Sequence, residues 1–587
     1  MSGQRRGVRA MSTSRPVRAG GVDEPVDEPD ALGSRLDHPQ PPADRADGAV
    51  DGSAHAALPS LAKRRALLAG AATLAGIVLF FCYLQLSRTY LLDSDGASNA
   101  LQAWAMLHGN PLLRGWTLSD VSFYTTELPE YMLVELVHGL NGEVVHIAAG
   151  LTYTLLVVLV ALVAKGQATG RRAGLRMLIA VGIMISPQLG FGVHVLLMQP
   201  DHTGTSVPVL LAWLLVDRGG RRWWVPPATA VLLAAAYVAD TAALVVGIVP
   251  LLVVMGWRLF QRVYQRRPAG TEFWPELVRA RYELAMLGAA LIALAAGRVV
   301  PAIIRHLGGY SLHPVPNTIA PSSSMVSHIW STVEGVLLLF GADFFGLKLS
   351  LSTGLVALHL VGVALAVWAV CAGVRRFAGD DLVSSMLTVG ALLALVACVL
   401  YPHPGPREMA AVLPFSAALA GRLLAERLAA ARLEPVIAVV LCLYVVALVI
   451  NVTSAPESTN YRPLASWLSG HGLRYGLANY EFASSVTLAS GNRVQVRPVA
   501  TCCGAQQLYS RMWEAENSWY NPSLHYANFV IQAPWSGRVL PPLKSVLYTF
   551  GLPARRYRVD GMTVLVWDYN LLTRTMSRPV GHGTPQV

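Results

Sequence analysis

The sequence predicts a polytopic α-helical membrane protein of about 11 transmembrane helices with a C-terminal extracytoplasmic α+β domain. Three observations carry that prediction. Of the 587 residues, 53% are hydrophobic and only 14% are charged, against roughly 25% charged in a soluble globular chain. Long apolar runs recur from residue 66 to residue 451, and the Arg-rich loops between them fall on one side, as the positive-inside rule requires. The net charge of +11 is therefore topological, and it does not point to nucleic acid as a partner.

Residues 1–62 are polar and rich in Pro, Asp and Arg, with the doublet "VDEPVDEP" at Val22 to Pro29. They lack the apolar content needed to offset ordering entropy and read as a disordered cytoplasmic tail. Lys63, Arg64 and Arg65 then precede an apolar run that starts too far in for a cleaved signal, so it reads as an uncleaved anchor. Further spans are expected near 143–164, 177–197, 203–216, 225–239, 241–257, 284–304, 356–374, 383–401, 408–425 and 434–451. With the anchor at 66–86, the loops "KGQATGRRAGLR", "DRGGRRWW", "WRLFQRVYQRR", "RRFAGDD" and "RLAAARLE" all become cytoplasmic. Residues 63–450 thus form a membrane domain with a first outer loop at 87–142. Ser327 to Ser352 is read as interfacial or re-entrant, because a span there would put Arg375 and Arg376 outside.

From residue 451 the apolar runs stop. A helix over Tyr461 to Ser469 and strand-like pieces "SSVTLAS", "RVQVRPV" and "MTVLVWDY" predict the α+β domain, 451–587. Thr501 to Tyr526 interleaves aromatics with Asn, Gln and Arg, a composition that suits either sugar stacking or an ordinary aromatic core. Cys82, Cys371, Cys398 and Cys442 lie in apolar runs as small buried hydrophobes. Cys502 and Cys503 would face an oxidising compartment and could pair with each other or elsewhere. No Walker loop, GxGxxG, HExxH or CxxC is present, which leaves nucleotide hydrolysis, dinucleotide chemistry and the common zinc sites without support.

Ionisable residues next to apolar spans gather on the outer side, where function is the default expectation. The first outer loop carries Asp93, Asp95, His108, Arg114, Asp120, Glu127 and Glu130. "MQPDHTGT" adds Asp201 and His202, "YPHPGPRE" adds His403, Arg407 and Glu408, and Asp240 ends another span. After Asp95, Leu101, Trp104, Ala105 and Leu107 recur at helical spacing, which predicts an amphipathic helix on the membrane surface closed by "HGN" and Pro111. Asp93 or Ser94 is placed to cap it, and Asp240 to make a structural ion pair or cap. Carboxylates beside His and Arg are the residue types needed for a general base and for holding a phosphate leaving group.

In layout this chain resembles the GT-C glycosyltransferases that use polyprenyl-phosphate sugars, a class that includes protein mannosyltransferases, aminoarabinose transferases and oligosaccharyltransferase catalytic subunits. The resemblance rests on "SDGASNALQAWAMLHGN", with Asp95 just after the first span and Gly109 at the helix end, on "FYTTELPEY" leading to the second span, and on Asp201 in the next outer loop. Gly96 stands where the family often has a second acid. The resemblance implies an inverting sugar transfer from a lipid-phosphate donor to an exported glycan, lipid or protein. Asp95 would be the base, with Asp93 and Asp201 beside it, and His202, Arg407, His403, Glu127 and Trp116 would contact substrate. A divalent cation, Mg or Mn, stays open as a cofactor. Arg305 to Ser324 is expected to be a lid that orders on donor binding. The rival reading is a transporter, flippase or non-catalytic accessory protein; transporters place charges near the midplane of paired, repeated halves, and no repeat is visible here.

Overall fold

The computed structural model describes residues 53–265, 277–314, 318–377, 379–402, 405–457, 461–501 and 506–576. Residues 1–52 of the expected tail, together with His403, Cys502 and Cys503, lie outside them. The chain divides into two units, 1–68 and 69–587. Helix α1 (Ser53–Ser87) begins before the apolar run, because the Ala- and Leu-rich stretch ahead of it favours helix.

Nine further helices build the first part of the second unit: α2 (Ser94–Leu107), α3 (Glu127–His138), α4 (Glu143–Lys165), α5 (Gly170–Met184), α6 (Phe191–Leu197), α7 (Ser206–Gly219), α8 (Val225–Ala239), α9 (Val249–Phe260) and α10 (Arg281–His306). After them come α11 (Met325–Leu339), α12 (Leu351–Leu358), α13 (Leu360–Arg375), α14 (Leu382–Leu400), α15 (Val412–Ala430) and α16 (Glu434–Val452). Among the described residues, seven helical stretches are long and apolar enough to cross a membrane.

The span expected at 177–197 is broken at Pro187, which lacks an amide donor and pushes Ser186 away from helical geometry. The carbonyls freed at the break are not orphaned. Tyr153 donates to the Met184 carbonyl at 2.8 Å, Tyr83 to Ile185 at 3.0 Å and Asn451 to Pro187 at 3.4 Å, so α1, α4 and α16 satisfy what an apolar bundle otherwise could not. Helix α11 starts beside the Leu400 carbonyl, which accepts from Ala320. Its C-terminal turn, Gly341, lies against Gln188 at that same break.

The C-terminal part is a mixed sheet in the order β5 (Leu508–Ser510), β4 (Gln495–Thr501), β3 (Tyr475–Asn479), β7 (Phe529–Trp535), β10 (Met562–Val566), β9 (Arg555–Val559), with β8 (Arg538–Leu540) pairing β7. Helices α17 (Arg462–Gly470), α18 (Tyr480–Ala489) and α19 (Leu543–Phe550) accompany it. "RVQVRPV" and "MTVLVWDY" form strands as expected. "SSVTLAS" does not: it lies in α18, where Asn479 caps the N-terminus through the Glu481 amide. Phe482 to Leu488 are all buried, so no periodicity marks their state; Thr487 returns its hydroxyl to the Ala483 carbonyl and the helix packs on α2.

That packing also corrects the expected surface helix. Gly96 to Ala103 of α2 are buried all round, and Ala97, Ala100 and Ala103 share one core with Val144, Val145, Leu464, Phe482 and Val486. A second small sheet joins three distant segments: β1 (Trp116–Leu118) pairs in parallel with β2 (Ser311–Leu312) and antiparallel with β6 (Ala515–Glu516). The segment read as a lid is therefore tied down at both ends, at His313 to the Leu118 and Ser119 carbonyls and at Ala320 to Leu400.

Candidate active site

Asp93 ends the turn after α1 and caps α2, its Oδ1 accepting from the Ser94 amide at 2.9 Å. Within the first turn, Asp95 leaves the helix on the side where Arg407 arrives, seven residues past the end of α14. Arg407 Nη1 stands 3.5 Å from Asp95 Oδ2, and Nη2 stands 3.7 Å from Asp93 Oδ2. Four residues after Asp95, and so on the same helix face, Asn99 donates to both oxygens of Asp201 at 3.1 Å.

The C-terminal part supplies the other wall. Tyr480, the first residue of α18, places its hydroxyl 2.5 Å from Asp95 Oδ1 and 2.7 Å from Glu514 Oε2. One hydroxyl hydrogen cannot serve two carboxylates, so one of the two carboxyls carries a proton. Burial, then Asp95, pushes Glu514 well above the usual carboxylate range, which makes Glu514 the protonated partner and leaves the Tyr480 hydrogen for Asp95. Ser94 donates to the Tyr480 carbonyl, Ser98 bonds Ser484 at 2.7 Å, and the Arg511 guanidinium lies 4.8 Å from the Tyr480 ring centre. The loop before α2 and the start of α18 are thus stitched together around the acid.

Burial and crowding set the charge states. Burial, then Asp95, pushes Asp93 up to about 8 and Asp201 up to about 7. Burial would depress Arg407, but Asp93, Asp95 and Asp201 outweigh it and hold the guanidinium charged. Glu127 is pushed well up by burial, accepts from Thr126, and is wedged against Gly204, where a Cβ would come within 2.6 Å of its Oε1.

Two of the expected site residues, His202 and Trp116, have partners of their own. His202 is held by Asp240 at 2.9 Å; burial lowers its pKa, but Asp240 raises it to about 10, and Asp240 also accepts from Thr205 at 2.6 Å. Asp240 is thus the structural pair and C-cap the sequence suggested, and His202 is engaged by it. Trp116 does not line an opening: it is 3% exposed and packs edge-on to Trp519 inside a core with Leu113 and Phe123. Gly96 has its own reason, since a Cβ there would lie 2.8 Å from both Gln199 Oε1 and Val145 Cγ1, so the family's second acid has no room.

What distinguishes Asp95 is access. Its side chain is 35% exposed, while Asp201, Glu127 and Glu514 are buried at 5% or less. Asn99 could have been found from its i+4 spacing to Asp95. Tyr480, Glu514 and Arg511 could not, because nothing local links residue 480 to residue 95.

No protein-family model and no curated protein matches this sequence. Solved structures do match its shape. ArnT from Cupriavidus metallidurans in the apo state aligns with a TM-score of 0.52 at 12% identity, over 85% of this chain and 98% of its own. The chain has a GT-C fold. The Archaeoglobus fulgidus oligosaccharyltransferase in complex with zinc and sulfate matches at a TM-score of 0.43 and 10% identity, over 78% of this chain and 67% of its own. Among the described residues, no group of three or more His, Cys, Asp or Glu is placed to hold a metal ion. Around Asp95 the two oxygens already face Tyr480 and Arg407.

Proposed function

We propose that this protein transfers a sugar from a polyprenyl-phosphate donor to an exported glycan, lipid or protein acceptor, with Asp95 as the general base. The observation that carries the reading is that Asp95, 35% exposed beside the buried Asp201 and Glu514, is held by a tyrosine hydroxyl on one oxygen and faces a charged arginine on the other. The fold and the position of Asp95 after the first span support it.

In this mechanism the acceptor hydroxyl attacks the anomeric carbon from the face opposite the lipid phosphate. Asp95 takes the hydroxyl proton as the new C–O bond forms. The bond from the anomeric carbon to the phosphate oxygen breaks, and its electron pair leaves on the lipid phosphate, with inversion at carbon. Arg407, held charged by Asp93, Asp95 and Asp201, supplies positive charge to that leaving phosphate. Tyr480 positions the base.

The reading places residues 63–450 in the cell membrane and 451–587 outside it, with the N-terminus cytoplasmic. Lys165, Arg171, Arg218, Arg262, Arg375 and Arg427 cluster at the helix ends away from Asp95, which is the sequence bias expected of the cytoplasmic side. The test is sugar analysis of envelope glycans from a deletion strain complemented with wild type or Asp95→Asn at matched membrane levels. Wild type should restore one missing sugar and Asp95→Asn should not, with in vitro transfer down by roughly 10²- to 10⁴-fold. Full restoration by Asp95→Asn would remove Asp95 as the base and return the transporter or accessory reading.

A further inference from the structure

A cavity of about 750 Å³ opens at the opposite end of the bundle from Asp95, bounded by the ends of α5, α13, α14 and α15 and by Gln261 after α9. Helix α14 links the two ends, running from the cavity at Leu382 toward Arg407, a rise of roughly 28 Å at 1.5 Å per residue. Six arginines line the cavity against three carboxylates. Two of those carboxylates are already taken: Asp381 binds Arg422 at 2.8 Å, and Glu426 is shared by Arg172 and Arg176. Arg375, Arg376 and Arg427 have no carboxylate partner among the described residues, and the buried Nε of Arg176 has no acceptor there. The cavity therefore presents surplus positive charge and open donors.

Its depth is equally defined. Three membrane-length helical stretches, Leu244–Gln265, Thr353–Arg375 and Leu382–Leu400, end or begin at its rim. Beside it runs an aromatic ladder: the ring centres of Trp257 and Phe260 are 5.7 Å apart, those of Phe260 and Tyr264 5.4 Å, and Trp257 lies 6.2 Å from Phe377 of the cavity wall. Aromatic ladders at span ends mark the headgroup level of a bilayer. Val367, Trp368 and Val374 of α13 are exposed directly toward the membrane depth from Arg375, an apolar track on which acyl chains could lie.

We propose that this cavity binds the phosphate group of an anionic phospholipid from the leaflet at the arginine-rich end, with the acyl chains along α13. The ligand chemistry is a phosphate anion met by arginine forks, and the aromatic and apolar rim selects a lipid as its source over free phosphate. This goes beyond sugar transfer and does not depend on it.

The experiment is native mass spectrometry of the full-length detergent-solubilised protein with added phosphatidylglycerol, phosphatidylcholine, glycerol phosphate or inorganic phosphate. Wild type should retain phosphatidylglycerol over phosphatidylcholine. Arg375→Gln/Arg376→Gln/Arg427→Gln should lose it by about fivefold per arginine, on the order of 100-fold together. An equal change at exposed arginines of the sheet, Arg555→Gln/Arg556→Gln/Arg558→Gln, should leave retention intact. Equal retention of the two lipids, or wild-type retention by the first triple variant, would overturn the proposal. So would displacement of phosphatidylglycerol by inorganic phosphate at equal concentration, which would make the cavity a free-anion site. If the triple variant melts early, Arg376→Gln alone still reads the fivefold step.

Discussion

Arg407 and Arg422 each face two carboxylates, and they are built for different work. Arg422 is 5% exposed and fully engaged: Nη2 meets Asp381 at 2.8 Å and Asp217 at 2.9 Å, Nη1 donates to the Val163 carbonyl at 2.7 Å, and Gly166 leaves it no slack. Arg407 is 24% exposed and stands 3.5 and 3.7 Å from its acids, and Nη2 also lies 3.9 Å from the Met198 sulfur. A guanidinium in contact with fixed acids has little left to give a ligand. One held by the same charge at longer range stays oriented and keeps its donors for an incoming phosphate.

The comparison predicts a crossover between stability and activity. Arg422→Gln should cost about 3–5 kcal/mol, because it strands the Asp217 and Asp381 carboxylates; thermal melting in detergent reads this, and any remaining folded protein should transfer sugar at a near-normal rate. Arg407→Gln should melt close to wild type yet lose roughly 10²- to 10³-fold in transfer rate. Equal losses of stability in the two variants would erase the distinction.

Tyr480→Phe sharpens the same contrast on the other oxygen of Asp95. Loss of one hydrogen bond to a charged group, about 1.5–3 kcal/mol, should lower transfer by roughly 10- to 100-fold. Substrate affinity should hardly change, since Tyr480 positions the base and does not hold donor. A pure rise in KM would assign Tyr480 to substrate binding.

The smallest effect on transfer is expected at Asp93→Asn, since Asn caps a helix about as well as Asp. Asp93 has its pKa raised to about 8 in the folded chain against about 3.9 for an unfolded Asp. The folded state holds the extra proton, so this group's contribution to stability is complete below about pH 4 and is lost as pH rises to about 8. Asp93→Asn should therefore gain in melting temperature relative to wild type across that window. A constant difference at all pH values would show that Asp93 does not titrate there.

The sequence by itself determined the membrane class, the placement of Asp95 just after the first span, the Asp93 cap and the β4 and β10 strands. Each is a local property: the length of an apolar run, the choice of a capping residue, or an alternation in side-chain type. It also contained Pro187, yet an apolar run of span length concealed the break that Tyr83, Tyr153 and Asn451 make tolerable. Only the tertiary structure decided that "SSVTLAS" is helical, that Trp116 is core, and that Tyr480 and Glu514 meet Asp95. Those outcomes depend on surfaces hundreds of residues apart burying one another. Hydrophobic burial is non-directional, so the pattern of apolar residues says that a face will be covered and leaves to the fold which face covers it.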